Sequence, residues 1–204
     1  ARTDAELRTL RNQINPHFLL NTLNNIYALT AIDTVRAQAA IQQLSKMLRH
    51  LLYDNEQPLL PLQDEVEFLQ NYISLMRIRL PASVDVSFDT DIDNYLLPVA
   101  PMLFIPLVEN AFKYGIMATE KSFIHITIQT RQPQIIFNVS NSYHATVPST
   151  HSGHGIGLKQ VQRRLDLMFP GNYIWEHGIS DDGKTYHSSI ELTSDIQHQA
   201  PSPT

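Results

Sequence analysis

Residues Gln13–Asn21 read QINPHFLLN and place a proline, a histidine and two asparagines within an otherwise helical pattern. Pro16 removes a backbone hydrogen bond from an otherwise helical pattern, and the asparagines around it are weak helix formers. These residues therefore do not stabilise the helix, which indicates a role for their side chains. An imidazole with an exposed nitrogen can attack a phosphoryl group, which makes His17 a candidate phosphate acceptor. A lone helical histidine is, however, more often a structural or surface residue.

The residues around this stretch have the spacing of amphipathic helices. The pattern predicts one helix over 4–30, a second from Asp33 as N-cap to Tyr53, and a third over 63–80. Their apolar stripes exceed what two or three isolated helices can bury, which predicts a homodimer held by a four-helix bundle. The stripes are Leu7, Leu10 and Ile14 in the first helix and Leu44, Leu48 and Leu51 in the second, in which Val35 and Ile41 are also expected to face inward.

After Pro81 the pattern changes to short alternating segments. Helices are predicted at 101–114 and 158–169, and strands at 84–88, 123–128, 135–139, 173–179 and 185–192. The sequence therefore predicts an α+β protein with a helical region over 1–80, an α/β domain over 81–193 and a frayed tail over 194–204.

Composition and charge exclude several classes of protein. The 204 residues carry a net charge of −5 without a dense cationic stripe, which argues against nucleic-acid binding. With no cysteine, the chain has no disulfide, thiolate or cysteine-zinc chemistry. No apolar run approaches the ~20 residues of a membrane span. Because the chain begins without Met and already in a helical pattern, we expect a fragment whose membrane spans lie upstream.

A second candidate stretch is Pro106–Tyr114, which contains Glu109, Asn110 and Lys113 within about one helical turn. An amide oxygen beside a carboxylate can hold Mg²⁺ directly or through water. A lysine one turn further on can neutralise phosphate charge. Read alone, the pattern fits a solvated charged face about equally well.

The third stretch, Gly153–Leu158, has glycines at 153, 155 and 157 immediately before a predicted helix. Such glycines let the backbone approach a phosphate, and the helix N-terminus adds free N–H groups. Glycine-rich turns are common, but after a strand and a polar loop this one favours a nucleotide.

In this order, the three stretches resemble the phosphoacceptor signature, N box and G2 box of the LytS-like sensor histidine kinases. The resemblance implies a helical dimerisation region followed by a Bergerat-type α/β sandwich that binds ATP. It matches His17 to the phosphorylated histidine, Asn110 to the Mg²⁺ ligand, Glu109 to its acidic neighbour and Lys113 to a phosphate contact. Gly153, Gly155 and Gly157 match the hinge glycines of the ATP lid, with Leu158 closing the G2 box.

The resemblance also implies partners and a location. His17 would pass its phosphoryl group to an aspartate of a response regulator, of the LytTR type. The chain would be the cytoplasmic portion of an inner-membrane sensor protein.

The chain departs from the family pattern at the adenine site. Asn141 stands where the family has aspartate, and Tyr143 where it has glycine. The change removes one charge-assisted hydrogen bond, about 1 kcal/mol, so Asn141→Asp is expected to tighten ATP binding or leave it unchanged. Phe18 follows His17 where many other histidine kinases have an acidic residue, so the base remains unassigned. Two alternatives stay open: a nucleotide-binding pseudokinase that signals by docking, and a Bergerat-type ATPase or serine-kinase-like relative.

Overall fold

The chain is divided into two compact units. The computed structural model describes residues 16–53, 58–117, 120–144 and 156–194. One unit comprises Ala1–Pro58 with Val66–Leu80, and the other comprises Leu59–Glu65 with Pro81–Thr204, as far as these are described. The second unit is therefore not one continuous segment, because it includes the residues just before and within the first turn of the third helix.

The first unit is helical. Helix α1 spans Pro16–Thr30, α2 spans Thr34–Tyr53, and α3 spans Leu62–Arg77, of which the part from Val66 onward belongs to this unit. Asp33 is confirmed as the N-cap of α2, since its Oδ1 accepts a hydrogen bond from the Arg36 backbone N–H at 3.0 Å. The predicted beginning of the first helix, before Pro16, lies outside the described residues.

Helices α1 and α2 pack against each other through a narrow inner face. The inward prediction for Val35 and Ile41 is wrong, because these side chains are 76% and 49% exposed. The buried residues of α2 follow one another at intervals of three, four and three, which defines one face of the helix. Val35 lies opposite that face, and Ile41 lies at its edge. The buried residues are Thr22, Ile26 and Leu29 of α1, and Ala37, Ala40, Leu44 and Met47 of α2.

The second unit is built on a five-stranded sheet in the order β2-β4-β5-β7-β6. Strands β2 and β4 are parallel and the other neighbouring pairs are antiparallel. A separate two-residue ladder, which the sequence did not predict, pairs β1 with β3. The strands are β1 Leu60–Pro61, β2 Val84–Asp91, β3 Pro98–Val99, β4 Ser122–Arg131, β5 Gln134–Ser142, β6 Tyr173–Ile179 and β7 Thr185–Thr193.

Two helices, α4 (Ile105–Tyr114) and α5 (Ile156–Met168), belong to the same unit. Helix α4 begins four residues later than predicted, since 101–104 form a turn and Pro106 is the proline of its first turn. Helix α5 ends before Pro170 and Gly171, and Gly171 has a φ of 72° that favours glycine.

The core of this unit consists of the inward side chains of the central strands and the apolar side of α4 and α5. The Phe104 and Phe137 rings stack with centroids 4.4 Å apart and join the start of α4 to β5. The buried residues include Ile124, Ile126, Ile128, Ile135, Phe137, Val139, Ile190 and Leu192 of the sheet, and Leu107, Val108, Ala111, Phe112, Val161 and Leu165 of the helices.

Ser194, which the sequence analysis assigned to the frayed tail, is buried. Its backbone N–H donates to Pro133 O at 2.9 Å, and its hydroxyl donates to Pro98 O. The rest of the predicted tail lies outside the described residues. Across the ranges that the structure describes, none of the helices combines the length and apolar character that crossing a membrane requires.

Candidate functional site

Helix α4 presents the second candidate stretch on the side away from its buried apolar residues. Glu109 and Asn110 are half-buried there, and Lys113 is exposed. The Lys113 Nζ lies 4.9 Å from the centroid of the Tyr114 ring, which holds the charge beside an aromatic surface. The apolar positions of α4 thus fix one side in the core and leave a carboxylate, an amide and an ammonium group at the other.

Glu109 has an unusual acid strength for a carboxyl. Burial raises its pKa to about 7, and the nearby Lys113 charge offsets part of that increase. Near neutral pH the carboxyl is therefore divided between protonated and ionised forms. A group with this pKa can accept a proton at the pH at which an enzyme normally works.

The second and third candidate stretches meet at Asn110. A Cβ atom added to Gly157, in the first turn of α5, would lie 3.6 Å from Asn110 Nδ2 and 3.8 Å from Asn110 Oδ1. These are ordinary contact distances, so the amide of Asn110 lies directly beside the first turn of α5. Leu158 follows in that turn and is half-buried. Gly153 and Gly155 lie outside the described residues.

The end of α4 meets the end of β5 at Gly115 and Asn141. A Cβ on Gly115 would lie 2.6 Å from Ala111 O and 2.7 Å from Asn141 Cβ, so only glycine fits here. Asn141 is buried, and its Nδ2 donates to Ser142 O at 2.8 Å. This bond orients the amide and leaves its Oδ1 as the acceptor. Gly115 was not among the predicted site residues, although a glycine directly after a helix is a signal that the sequence contains.

The oxygen atoms at this site suit Mg²⁺, which prefers carboxylate and amide oxygens. Among the described residues, no three His, Asp or Glu side chains lie close enough together to form a metal cage. A site in which Asn110 supplies one amide oxygen next to the Glu109 carboxyl fits an ion that arrives with phosphate oxygens and water as its remaining ligands. His17, the other predicted reactive residue, is in the first turn of α1, in the helical unit.

Known proteins resemble this chain over most of its length. A family model described as histidine kinase matches residues 5–84. The sensor protein LytS of Staphylococcus saprophyticus is 33% identical over 206 residues, covering 95% of this chain and 32% of that protein. The sensor protein LytS of Oceanobacillus iheyensis is 37% identical over 178 residues, covering 79% of this chain and 30% of that protein. The chain thus spans about a third of the length of these curated relatives.

A solved structure agrees with the fold. The histidine kinase domain of a blue-light activated histidine kinase from Erythrobacter litoralis has a TM-score of 0.50 and 11% identity, covering 94% of each chain. With its helical unit and its unit built on an α/β sheet, the chain belongs by class to the histidine kinase family. Within that class it belongs to the LytS-like sensor histidine kinases.

Proposed function

We propose that this chain transfers the γ-phosphoryl group of Mg-ATP to His17 and then to an aspartate of a response regulator. The observation that supports the proposal is the contact between Asn110 of α4 and Gly157 of α5, with Asn141 and Gly115 at the other end of α4. This arrangement provides a polar acceptor for a base at one end and an amide, a carboxylate and a helix N-terminus for phosphates at the other.

At the base end, Asn141 Oδ1 accepts a hydrogen bond from the adenine amino group. The bond from Asn141 Nδ2 to Ser142 O uses the donor side of the amide and leaves Oδ1 as the acceptor. Gly115, which has no side chain, lets the end of α4 pack closely against this amide.

At the phosphate end, Asn110 would hold Mg²⁺, which when bound would neutralise charge on the phosphates. Lys113, on the same side of α4, contributes a further positive charge. The first turn of α5 lies beside the Asn110 amide, and a helix N-terminus attracts phosphate. The residues of the chain thus bind, orient and neutralise, which is most of what phosphoryl transfer needs.

In the transfer itself, a ring nitrogen of His17 forms a bond to the γ-phosphorus while the bond from that phosphorus to the β,γ-bridging oxygen breaks and ADP leaves. The proton on the other ring nitrogen passes to a base. Glu109 is the proposed acceptor, because its pKa of about 7 suits proton transfer near neutral pH. In the second step the phosphorus–nitrogen bond breaks as an aspartate carboxylate of the regulator accepts the phosphoryl group.

The proposed active form is a homodimer. Leu20, Leu23 and Tyr27 lie at three- and four-residue spacing on α1 and remain 61%, 52% and 80% exposed. A second copy that covered this stripe would turn two helical hairpins into a four-helix bundle. The stripe differs from the one expected from sequence, because Leu44 is already buried within the hairpin.

The response regulator is proposed to be of the LytTR type, which rests on the family resemblance alone. The chain is proposed to be the cytoplasmic part of a membrane-bound sensor, since its relatives are named sensor proteins and it spans about a third of their length. An alternative proposal is a nucleotide-binding docking module without transfer, which the Asn141 and Tyr143 departures favour.

One experiment separates these proposals. The purified chain is incubated with Mg²⁺ and γ-labelled ATP, and acid-labile, base-stable label on the protein is measured. We expect label on the wild type, none on His17→Gln, and a large loss on Asn110→Ala. Exposed His187 provides the matched control, and His187→Gln should label normally. His50 is unsuitable as a control, because it is buried and its ring lies 5.0 Å from that of Phe68.

Full labelling of His17→Gln would disprove the acceptor assignment. ATP binding without any label on the wild type would support the docking module instead.

A further inference from the structure

The turn before α4 has a backbone conformation that needs outside support. Met102 has a φ of 56°, in the left-handed region that residues with side chains rarely adopt. Such a conformation persists only when the surrounding structure holds it. Helix α4, which follows directly, has no side-chain cap on its first turn. The support must therefore come from other elements.

A carboxylate holds the N–H groups of this turn. Glu65, in the first turn of α3, is fully buried. Its Oε2 accepts a hydrogen bond from Met102 N at 2.9 Å, and its Oε1 accepts one from Phe104 N at 3.2 Å. Each carboxylate oxygen thus binds one side of the turn, and the second bond ends at the residue where α4 begins.

A guanidinium group holds the carbonyl groups of the same turn. Arg164, in α5, donates from Nη1 to Pro101 O at 2.8 Å and to Met102 O at 2.6 Å. The N–H of Met102 is therefore held by Glu65 and its C=O by Arg164. We call this arrangement the Glu65–Arg164 clamp.

The clamp is a costly way to hold a turn. Charged groups lose hydration when buried, and well-packed apolar residues often give equal stability. Burial raises the pKa of Glu65 to about 7, while the Met102 and Phe104 N–H groups and the Arg164 charge lower it. Burial likewise lowers the pKa of Arg164. The charged groups instead fix the geometry of the turn, because each one binds specific backbone groups at hydrogen-bond distance.

The two elements that the clamp joins carry the phosphate end of the nucleotide site. Phe104 caps α4, and Asn110 lies six residues further on in that helix. Arg164 lies seven residues, about two turns, beyond Gly157 in α5. Gly157 in turn adjoins the Asn110 amide. A rotation of either helix would change the position of Asn110 relative to the first turn of α5.

We propose that Glu65 and Arg164 are positioning residues that set α4 against α5 and so place Asn110 for the metal. This inference rests on the proposed function, which assigns Asn110 to Mg²⁺. A merely structural clamp would weaken binding of every form of the nucleotide equally. A positioning clamp weakens mainly the part of binding that depends on the metal.

The test compares ATP binding to the full chain by calorimetry, with Mg²⁺ and with EDTA. The ratio of the two dissociation constants is the metal enhancement. We expect Glu65→Gln to reduce the enhancement at least fivefold while changing the dissociation constant in EDTA less than twofold. Glu67→Gln is the matched control on the same helix, since Glu67 is exposed and pairs with Lys46 at 3.5 Å.

Arg164 provides a second pair of variants if Glu65→Gln does not fold. A single nitrogen of Arg164 makes both hydrogen bonds, so the ammonium of Arg164→Lys can replace them. Arg164→Lys should retain at least half of the metal enhancement, and Arg164→Gln should lose it as Glu65→Gln does. The double variant should be no worse than the worse single variant, because the two residues act together. Arg163→Gln, at an exposed neighbouring position, is the control.

The inference is overturned if folded Glu65→Gln keeps its metal enhancement within twofold of wild type, or if binding with and without Mg²⁺ weakens in parallel. Hydrogen exchange measured without nucleotide tests the clamp independently of the proposed function. The amides of 102–108 should exchange at least tenfold faster in Glu65→Gln and Arg164→Gln, but not in Glu67→Gln. If the wild type neither labels nor responds to Mg²⁺, the proposed function fails, and unchanged exchange at these amides refutes the clamp separately.

Discussion

The variant Asn141→Asp tests the adenine site through two separate quantities, the stability of the sheet-containing unit and the affinity for ATP. In the wild type the buried Asn141 Nδ2 donates to Ser142 O at 2.8 Å. An aspartate loses this bond, about 1 kcal/mol, and brings a carboxylate oxygen beside a carbonyl in a buried place, about 1–3 kcal/mol more. The close approach of Gly115 leaves the new side chain little room to turn away. We therefore expect a loss of roughly 2–4 kcal/mol in the free energy of unfolding.

The affinity of Asn141→Asp for ATP should, in contrast, increase or stay unchanged. The second carboxylate oxygen can accept from the adenine amino group, and a charge-assisted bond is about 1 kcal/mol stronger than a neutral one, or several-fold in dissociation constant. The sequence comparison led to the same expectation for affinity, whereas the stability loss follows only from the Ser142 contact.

Both quantities can be measured on one sample. Trp175 is the only tryptophan and lies in β6, so its fluorescence during urea denaturation reports unfolding of this sheet. Calorimetric titration with ATP gives the affinity. Asn138→Asp is the control on the same strand, because Asn138 lies on the opposite face and makes only a 3.4 Å bond to Thr127 Oγ1. It should change stability by no more than ~0.5 kcal/mol.

Two results would refute the reasoning. Unchanged stability of Asn141→Asp would mean that the amide does not donate to Ser142 O. ATP binding weakened tenfold or more in folded Asn141→Asp would mean that the aspartate-replacement account is wrong and that the site recognises the base by other contacts.

Three further predictions concern assembly and pH. Replacing Leu23 and Tyr27 by glutamate should convert the dimer, measured by light scattering at micromolar concentration, to a monomer. Gln42→Glu, at an exposed position of α2, should remain a dimer. A monomeric wild type would contradict the homodimer. The rate of His17 labelling should rise with pH through about 7 as Glu109 ionises, and Glu109→Gln should be slow at every pH; an equally steep profile in that variant would exclude Glu109 as the base. Because folded Glu65 has a pKa of about 7 against an ordinary 4.5, the folded state binds more protons between these values, so Glu65 should contribute a fall of roughly 3 kcal/mol in the free energy of unfolding from pH 4.5 to 7, to which the raised pKa of Glu109 adds. Urea denaturation should show this slope in the wild type and a smaller one in Glu65→Gln.

The sequence predicted elements well where side chains repeat with a clear period. Strand β6 spans Tyr173–Ile179 as predicted, and β7 is one residue longer than predicted. Both were recognisable because a half-buried strand alternates apolar and polar residues. Asp33 was identified as a helix cap because its short acceptor side chain suits that position. The sequence also marked 106–114 and 153–158 as two separate candidate stretches, and the structure brings Asn110 of the first beside Gly157 of the second.

The remaining features depend on contacts that no local pattern records. Strands β1 and β3 have two residues each, too few for any periodicity. Pro101 suggested the start of a helix, but the turn at Met102 is held by a glutamate 37 residues earlier. Glu65 itself resembles an ordinary acidic residue in a first helical turn, where it would favour the helix dipole. Its burial follows only from the fold.

The sheet-containing unit is made of two separate segments of the chain, and this limits where two related chains can be joined in a chimera. A junction at Pro81, where the sequence pattern changes, would exchange the sheet but leave behind β1 and Glu65. The donor catalytic portion would then lose the partner of β3 and would inherit a foreign residue opposite the Met102 backbone. A junction before Leu59 transfers these contacts intact, although it also transfers all of α3. Engineers who recombine sensors with output kinases of this family should therefore treat α3 as part of the catalytic cassette.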